Sequence, residues 1–150
     1  MKISIRRARE AEAEQLSGIS FAAKKYWNYP ESFFEQWTDA LKISPEFIAG
    51  NNVWVAVRND EICGFAAISI RETVADLEHM WVVPKYIKQG IGKHLMKTVI
   101  EYCEDAGMES LRIESDPHAR VFYEKMGARL VGYVDSKPKP RKLPVLRLEL

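Results

Sequence analysis

The spacing of apolar residues changes along the chain and separates helical stretches from strands. Residues 2–7 alternate between apolar and polar, as a half-buried strand does. Apolar residues then recur at helical spacing from residue 10 to about residue 25, and a second helix opens at Pro30. Val53, Val55 and Val57 alternate with other residues, Asn59-Asp60 supplies a turn, and residues 62–70 are rich in apolar and β-branched side chains, which together predict a β-hairpin.

Strands and helices alternate in the second half of the chain. The pattern predicts a strand over 76–83, a helix from Gly90 to Gly107, a strand over 111–113, a helix from Asp116 to Gly127, and strands over 130–134 and 145–150. The resulting order, β-α-α-β-β-β-α-β-α-β-β, indicates an α/β fold in which helices pack on a mixed sheet. We expect one domain, residues 1–150.

Composition narrows the classes of partner. A net charge of +1 gives no field for holding nucleic acid or an anionic membrane, so neither is a predicted partner. No apolar run is long enough to span a bilayer, and the N-terminus has no secretory apolar region. Cys63 and Cys103 have no metal-ligand spacing, so we expect buried thiols and no metal. These features favour a cytoplasmic protein.

A glycine-bearing loop between a strand and a helix is the most informative segment of the sequence. It runs from Val82 to Lys93 and contains Gly90 and Gly92. Free N–H groups and the positive end of the helix dipole attract anions at such a place. Glycines there let the main chain approach a pyrophosphate, because no Cβ intervenes.

Three nucleotide-binding motifs compete for this loop. A phosphate-binding loop of the Walker A type needs Gly at 87 and Ser or Thr at 94, where Ile87 and His94 stand. A dinucleotide fingerprint needs a third small residue where Leu95 stands. The coenzyme A loop, Gln/Arg-x-x-Gly-x-Gly/Ala, is matched at both glycines. A Gly-x-Gly pair alone also fits a simple tight turn.

Two segments together resemble the core of the GNAT acetyltransferases. Residues 78–84 and the loop after them are similar to the family's fourth strand and coenzyme A loop. Residues 116–128 are similar to its motif Asn-x-x-Ala-x-x-Phe-Tyr-x-x-x-Gly-Phe. Ile87, Asp116 and Ala128 depart from these patterns. The resemblance implies a mostly antiparallel mixed sheet flanked by helices, and an enzyme that moves an acetyl group from acetyl-CoA to an amine.

The resemblance also implies where the cofactor binds. Main-chain groups of Met80 and Val82 would pair with the pantetheine arm, and an N–H near Met80 would polarise the thioester. Main-chain N–H groups of 88–93 would hold the pyrophosphate. The expected cofactor-binding residues are Met80, Trp81, Val82, Lys88, Gln89, Gly90, Ile91, Gly92, Lys93, Asp116, Ala119 and Phe122.

Two residues are the expected catalytic groups. Tyr123 stands where the family has the acid that returns a proton to the leaving thiolate; packing of its ring is the alternative. Glu78 is the candidate base, acting through water, with an ion pair to an arginine as the alternative. Strand alternation places Glu78 on the face opposite His79, so the two would not share a cleft, and His79 is expected to be structural.

The acceptor is predicted only as a small-molecule or peptide amine. Trp27 and Tyr29 lie between the first two helices, where the family's acceptor site lies, and either shape that site or anchor the segment. The basic run 137–142 is a solvated turn or attracts an acidic acceptor. Use of a longer acyl-CoA, a coenzyme A sensor without turnover, and a homodimer remain open alternatives.

Overall fold

The computed structural model describes residues 2–150. Its elements are β1 (Ser4–Arg7), α1 (Ala13–Lys25), α2 (Glu31–Leu41), α3 (Pro45–Gly50), β2 (Asn52–Arg58), β3 (Glu61–Arg71), β4 (Val74–Val82), α4 (Ile91–Asp105), β5 (Ser110–Glu114), α5 (Arg120–Lys125), β6 (Arg129–Asp135) and β7 (Lys142–Glu149). The predicted order is confirmed, with one addition. Helix α3 has only one turn and a half, too short to show a periodic stripe, although Ser44 caps it by accepting from the Phe47 N–H.

A seven-stranded sheet carries the fold, in the order β1-β2-β3-β4-β5-β7-β6. Strands β4 and β5 are parallel and all other neighbours are antiparallel, which confirms the predicted mostly antiparallel sheet. Asn59 and Asp60 form the β2–β3 turn with φ of 54° and 62°, a conformation that these two residue types tolerate better than most.

Two apolar clusters cover the two faces of the sheet. On one face, helix α4 buries Leu95 and Val99 against strand residues such as Ile68. On the other face, helix α1 buries Leu16 against Phe65. Both cysteines are buried and free, as predicted, and burial raises the pKa of Cys103 to about 11. Helices therefore hold both faces of the central strands while leaving the strand ends free to form a site.

Candidate active site

The two parallel strands separate halfway along their length and open a cleft. Strand β4 pairs with β5 only from Val74 to Leu77, opposite Ser110 to Ile113. Beyond that point β5 continues with β7, and the rest of β4 pairs only with β3. One edge of residues 78–82 therefore lacks a strand partner, and its main-chain groups are available to a ligand that binds like an added strand.

The cleft on the α4 face of the sheet has a volume of about 730 Å³. We call it the α4 cleft. It is lined by Ala23, Trp27, Leu77, Glu78, His79, Met80, Trp81, Val82, Tyr86, Ile87, Lys88, Gly90, Ile91, Gly92, Lys93, Glu114, Asp116, His118, Ala119, Phe122, Tyr123, Lys125 and Met126. All predicted cofactor-binding residues except Gln89 line it. The Gln89 side chain instead accepts a hydrogen bond from Arg58 and donates one to the Lys85 carbonyl.

The loop before helix α4 has the geometry of an anion site. In residues 2–150, no main-chain carbonyl accepts from the N–H groups of residues 88–93, and the first helical bond is His94 N–H to the Gly90 carbonyl. Lys88 and Gly90 have φ of 66° and 84°, left-handed conformations of the kind found in main-chain anion sites. A Cβ on Gly92 would lie 3.3 Å from Phe122 Cζ, so glycine also permits helix α5 to pack closely.

Tyr123 is held on helix α5 in the wall of the α4 cleft. Asp116 starts this segment: its carboxylate accepts from the His118 N–H at 2.9 Å, and Pro117 occupies the first turn, as the sequence predicts. Tyr123 is only 5% exposed, and no group in residues 2–150 hydrogen-bonds its hydroxyl. Burial and then the charge of Asp116 raise its pKa, so the phenol keeps its proton at neutral pH.

Glu78 occupies a bulge in β4. Ala67 pairs with His79 while the next residue, Ile68, pairs with Leu77, which leaves Glu78 without a partner on β3. The extra residue shifts the phase of side chains along the strand. Glu78 is exposed, its carboxylate accepts from the Ser69 hydroxyl at 2.7 Å, and no basic group in residues 2–150 forms an ion pair with it.

The bulge overturns one expectation from strand alternation. By strict alternation along β4, Leu77 would lie on the same face as His79 and Trp81, opposite Glu78. Leu77 instead packs with Met80 in the cluster under α4, while Trp81 packs in the cluster under α1. Glu78 and His79 therefore line the same clefts, because the inserted residue reverses the alternation at that point.

His79 has a structural environment, as predicted. Its Nδ1 accepts from the Trp81 indole N–H at 2.9 Å, and its ring packs against Phe47 and Phe65. Burial lowers its pKa to about 4, so the imidazole is neutral at physiological pH.

A second cleft, of about 670 Å³, opens toward helices α1 and α2. We call it the α1 cleft. It is lined by Lys24, Trp37, Ala40, Leu41, Ser69, Arg71, Asp76, Leu77, Glu78, His79, Trp81, Arg112, Glu114, Asp116, Ser136, Arg141 and Leu143. The two clefts meet where β4 leaves β5, because they share six lining residues: Leu77, Glu78, His79, Trp81, Glu114 and Asp116.

Asp116 joins the two clefts through a buried polar cluster. Its carboxylate lies 2.5 Å from Lys24 Nζ and 3.0 Å from the Tyr29 hydroxyl, with Arg141 at 3.7 Å. Burial alone would raise the pKa of Asp116, but Lys24 and the donors of His118 outweigh it and lower the pKa to about 2. The carboxylate predicted to lie near the cofactor is thus neutralised by Lys24.

Trp27 and Tyr29 occupy different places, although the sequence predicted one role for both. Trp27 lines the α4 cleft and stacks on His118, with ring centroids 4.4 Å apart. Tyr29 lines neither cleft; its hydroxyl donates to Asp116 and accepts from Arg141 Nη2 at 3.2 Å. The geometry of Tyr29 is that of an anchor between α1, the start of α5 and the β6–β7 loop.

Sequence reasoning missed Lys24 and Arg141 as site residues. Lys24 is only 7% exposed and follows Leu16 by eight residues, so it falls on the buried stripe of α1. A basic residue on the apolar stripe of a helix is unusual, so this pattern could have identified Lys24 as a candidate site residue from the sequence. Arg141 sits in a basic run whose spacing carries no such signal, and only the folded β6–β7 loop brings it to the cleft.

Neither a cluster of metal ligands nor a membrane-spanning helix occurs among the described residues. Among residues 2–150, no three His, Cys, Asp or Glu side chains are grouped to hold a metal ion. No described helix has the length and apolar character needed to cross a membrane.

Comparison with known proteins identifies the family. Residues 19–128 match the acetyltransferase (GNAT) family, and the chain belongs to it. The resemblance drawn from the sequence is thereby confirmed. The matched family is one of acetyltransferases.

Individual relatives are distant. The chain is 26% identical over 150 residues to the peptidyl-lysine N-acetyltransferase YjaB of Salmonella typhimurium, covering 99% of this chain and 98% of that protein. It is 27% identical over 124 residues to human N-acetyltransferase 8, covering 75% of this chain and 54% of that protein, so it spans about half that relative's length. The PaiA N-acetyltransferase of Thermoplasma acidophilum in complex with coenzyme A has the same fold (TM-score 0.82, 20% identity, 100% of both chains covered).

Proposed function

We propose that the protein transfers the acetyl group of acetyl-CoA to an amine by direct attack within a ternary complex. The observation that carries the proposal is the meeting of two clefts at one point. The α4 cleft has a loop of free N–H groups and the protonated Tyr123, and the α1 cleft reaches the same point from the other face. Each substrate has an entrance of its own, as a ternary complex requires.

The residues of the α4 cleft suit acetyl-CoA. Main-chain N–H groups of residues 88–93 hold the pyrophosphate, and Lys88 and Lys93 add positive charge. The unpaired edge of residues 78–82 takes the pantetheine arm as an added strand, and a main-chain N–H near Met80 polarises the thioester carbonyl. A coenzyme A complex of a protein with this fold supports the same assignment.

Glu78 and Tyr123 divide the proton transfers. Glu78, through water, takes a proton from the ammonium group of the acceptor, and the free amine attacks the thioester carbon. The C–S bond breaks as the amide C–N bond forms, and Tyr123 donates its proton to the thiolate. Burial raises the pKa of Tyr123 above that of a thiol, so the phenolate does not persist. The attacking nitrogen, positively charged once the C–N bond has formed, loses its second proton to water, and a proton from water returns to the phenolate, which leaves a neutral amide and a free thiol.

The first test is a melting experiment with acetyl-CoA, coenzyme A, ATP and NAD added separately. A ligand that binds only the native state raises the melting temperature. We expect acetyl-CoA and coenzyme A alone to do so, and free thiol to be released when an amine is then supplied. Stabilisation without thiol release for any amine would indicate a coenzyme A sensor, and no stabilisation would remove the cofactor assignment. Propionyl-CoA and longer acyl-CoAs belong in the same release assay.

Substituting Tyr123 tests the acid. Tyr123→Phe removes the hydroxyl while keeping the ring, so we expect kcat to fall at least tenfold with little change in acetyl-CoA affinity. Tyr133→Phe is the matched control, because Tyr133 is 57% exposed on β6, outside both clefts. Equal kcat in the two variants would exclude Tyr123 as the acid.

A further inference from the structure

The polar cluster at Asp116 contains more cationic than anionic side chains. Lys24 Nζ and Arg141 Nη2 lie 2.5 Å and 3.7 Å from the same carboxylate. The two basic side chains are 9% and 14% exposed, so water screens their charges poorly. One carboxylate between two buried cations leaves a local excess of positive charge, which favours a bound anion.

The pKa directions agree with that excess. Burial lowers the pKa of Lys24, and the charge of Arg141 acts in the same direction against the opposing effect of Asp116. The pKa of Asp116 is also lowered, to about 2, by its basic neighbours. A surplus positive charge disfavours a further cation and favours an anion, and both groups respond in that way.

The rings of Trp37, which lines the α1 cleft, and of Tyr29 behind it are already occupied by the protein's own cations. Lys24 Nζ lies 4.4 Å from the Trp37 ring centroid and 4.9 Å from that of Tyr29. The Arg141 guanidinium lies 5.0 Å and 5.1 Å from the same two rings. An acceptor therefore cannot place a second cation on these rings without displacing Lys24 or Arg141. This arrangement disfavours polyamines, which carry positive charge at both ends.

Arg141 has donors left for a ligand. A guanidinium has five N–H groups in a planar fork that matches a carboxylate. In residues 2–150, Nη1 donates to Ser136 Oγ at 3.3 Å and Nη2 to the Tyr29 hydroxyl at 3.2 Å. No other hydrogen bond of this guanidinium is made, and the side chain lines the α1 cleft.

The same cleft offers an anion at the point where the reaction takes place. Glu78 is exposed at its bulge, is held by Ser69, and forms no ion pair within residues 2–150. The other acidic side chains of the α1 cleft have cationic partners: Asp76 pairs with Arg71, Glu114 with Arg112, and Asp116 with Lys24. The cleft thus offers an unpaired carboxylate at Glu78 and an under-neutralised guanidinium at Arg141.

We propose that the acceptor is an amino carboxylate, a free amino acid or a small conjugate that keeps both its amine and its carboxylate. The carboxylate binds Arg141 and Lys24, and the ammonium group lies at Glu78, where it is deprotonated for attack. This inference rests on the proposed acetyl transfer and specifies its substrate class. A lysine side chain within a protein carries no carboxylate beside its amine, so it does not satisfy both sites.

The test compares each of the twenty amino acids with its carboxamide and its decarboxylated amine in the thiol-release assay. The amine of the amide is less basic than that of the amino acid, and the decarboxylated amine is more basic or similar, so the two analogues bracket any effect of amine basicity. We expect kcat/KM for the preferred amino acid to exceed that of both analogues at least tenfold. Equal or better rates with either analogue would overturn the proposal.

Arg141→Gln identifies the residue responsible. It should raise KM for the amino acid at least tenfold, leave KM for acetyl-CoA unchanged, and abolish the preference over the amide. Arg141→Lys, which keeps the charge without the fork, should give an intermediate KM. Lys142→Gln removes the same charge from the neighbouring exposed position, where Lys142 pairs with Asp135, and should leave all three values unchanged. The melting temperature of each variant with acetyl-CoA reports whether it is folded.

The outcomes separate the two proposals. Transfer only to a polyamine or to a peptide lysine, with wild type and Arg141→Gln alike, would overturn the amino carboxylate and keep the acetyl transfer. Transfer to none of the acceptors, with acetyl-CoA still raising the melting temperature, would overturn both the substrate class and turnover. No rise with acetyl-CoA would overturn the cofactor assignment itself.

Discussion

Replacing Asp116 with asparagine removes the carboxylate that lies between Lys24 and Arg141 while keeping the shape of the side chain. The asparagine carbonyl can still accept from the His118 N–H, so the cap at the start of α5 is retained. The substitution therefore isolates the charge. Asparagine is also the usual residue of the family motif, yet we expect it to destabilise this protein, because two basic side chains are buried beside it.

The size of the effect follows from the pKa of Asp116. A shift from 3.8 to about 2 corresponds to ~2 kcal/mol of stabilisation of the ionised form in the folded protein. Removing one partner of a buried pair typically costs about 3–5 kcal/mol, since the remaining charge is uncompensated. We therefore expect the free energy of unfolding to fall by about 2–4 kcal/mol. For a chain of this size that lowers the melting temperature by roughly 5–12 °C.

Urea unfolding at pH 7 measures the loss, and Asp135→Asn is the control. Asp135 is 80% exposed and pairs with Lys142 at 2.8 Å, where water screens the pair, so its loss should leave the free energy of unfolding close to that of the wild type. The double variant Lys24→Met, Asp116→Asn removes both charges of the closest pair and should recover part of the stability. If Asp116→Asn is as stable as Asp135→Asn, the cluster is solvated and the reasoning is wrong.

The pH dependence has a definite sign. The folded pKa of Asp116 is below its unfolded value, so its contribution is complete above about pH 4 and disappears as the pH falls toward 2. The difference in stability between wild type and Asp116→Asn should therefore shrink across that window. A difference that stays constant from pH 5 to pH 2 would contradict the ion pair as its source.

Two further substitutions test the cofactor loop and the base. Gly92→Val places a branched side chain against Phe122, over the N–H groups of the loop, and should weaken acetyl-CoA binding at least tenfold in a melting or calorimetric titration. Gly132→Val is the control, because Gly132 has open space around it. Wild-type affinity in Gly92→Val would show that the loop is not the phosphate site. Glu78→Gln should lower kcat/KM at least tenfold and remove the acidic limb of its pH profile. Glu114 lines the same two clefts, and Glu114→Gln should keep the acidic limb of the pH profile of kcat/KM. If Glu114→Gln loses this limb and Glu78→Gln keeps it, the base is Glu114.

The sequence by itself determined the order of the elements and the free N–H groups of the loop before α4, because both depend on local signals. Apolar periodicity fixes which residues face the core, and Gly90 and Gly92 before a helix create free N–H groups whatever the rest of the chain does. The Asp116-Pro117 helix start likewise needs only neighbouring residues, and the structure has it as predicted.

Only the tertiary structure decided the chemistry around Glu78 and Asp116. The bulge at Glu78 arises from how β4 pairs with β3, so simple alternation along β4 assigns the wrong face to Leu77. The Asp116 cluster joins residues that are 92 positions apart in the case of Lys24 and 25 in the case of Arg141. These charges are distant in sequence and meet only after the sheet has formed. No periodic pattern indicates them, so the residues proposed to bind the acceptor could be found only from the fold.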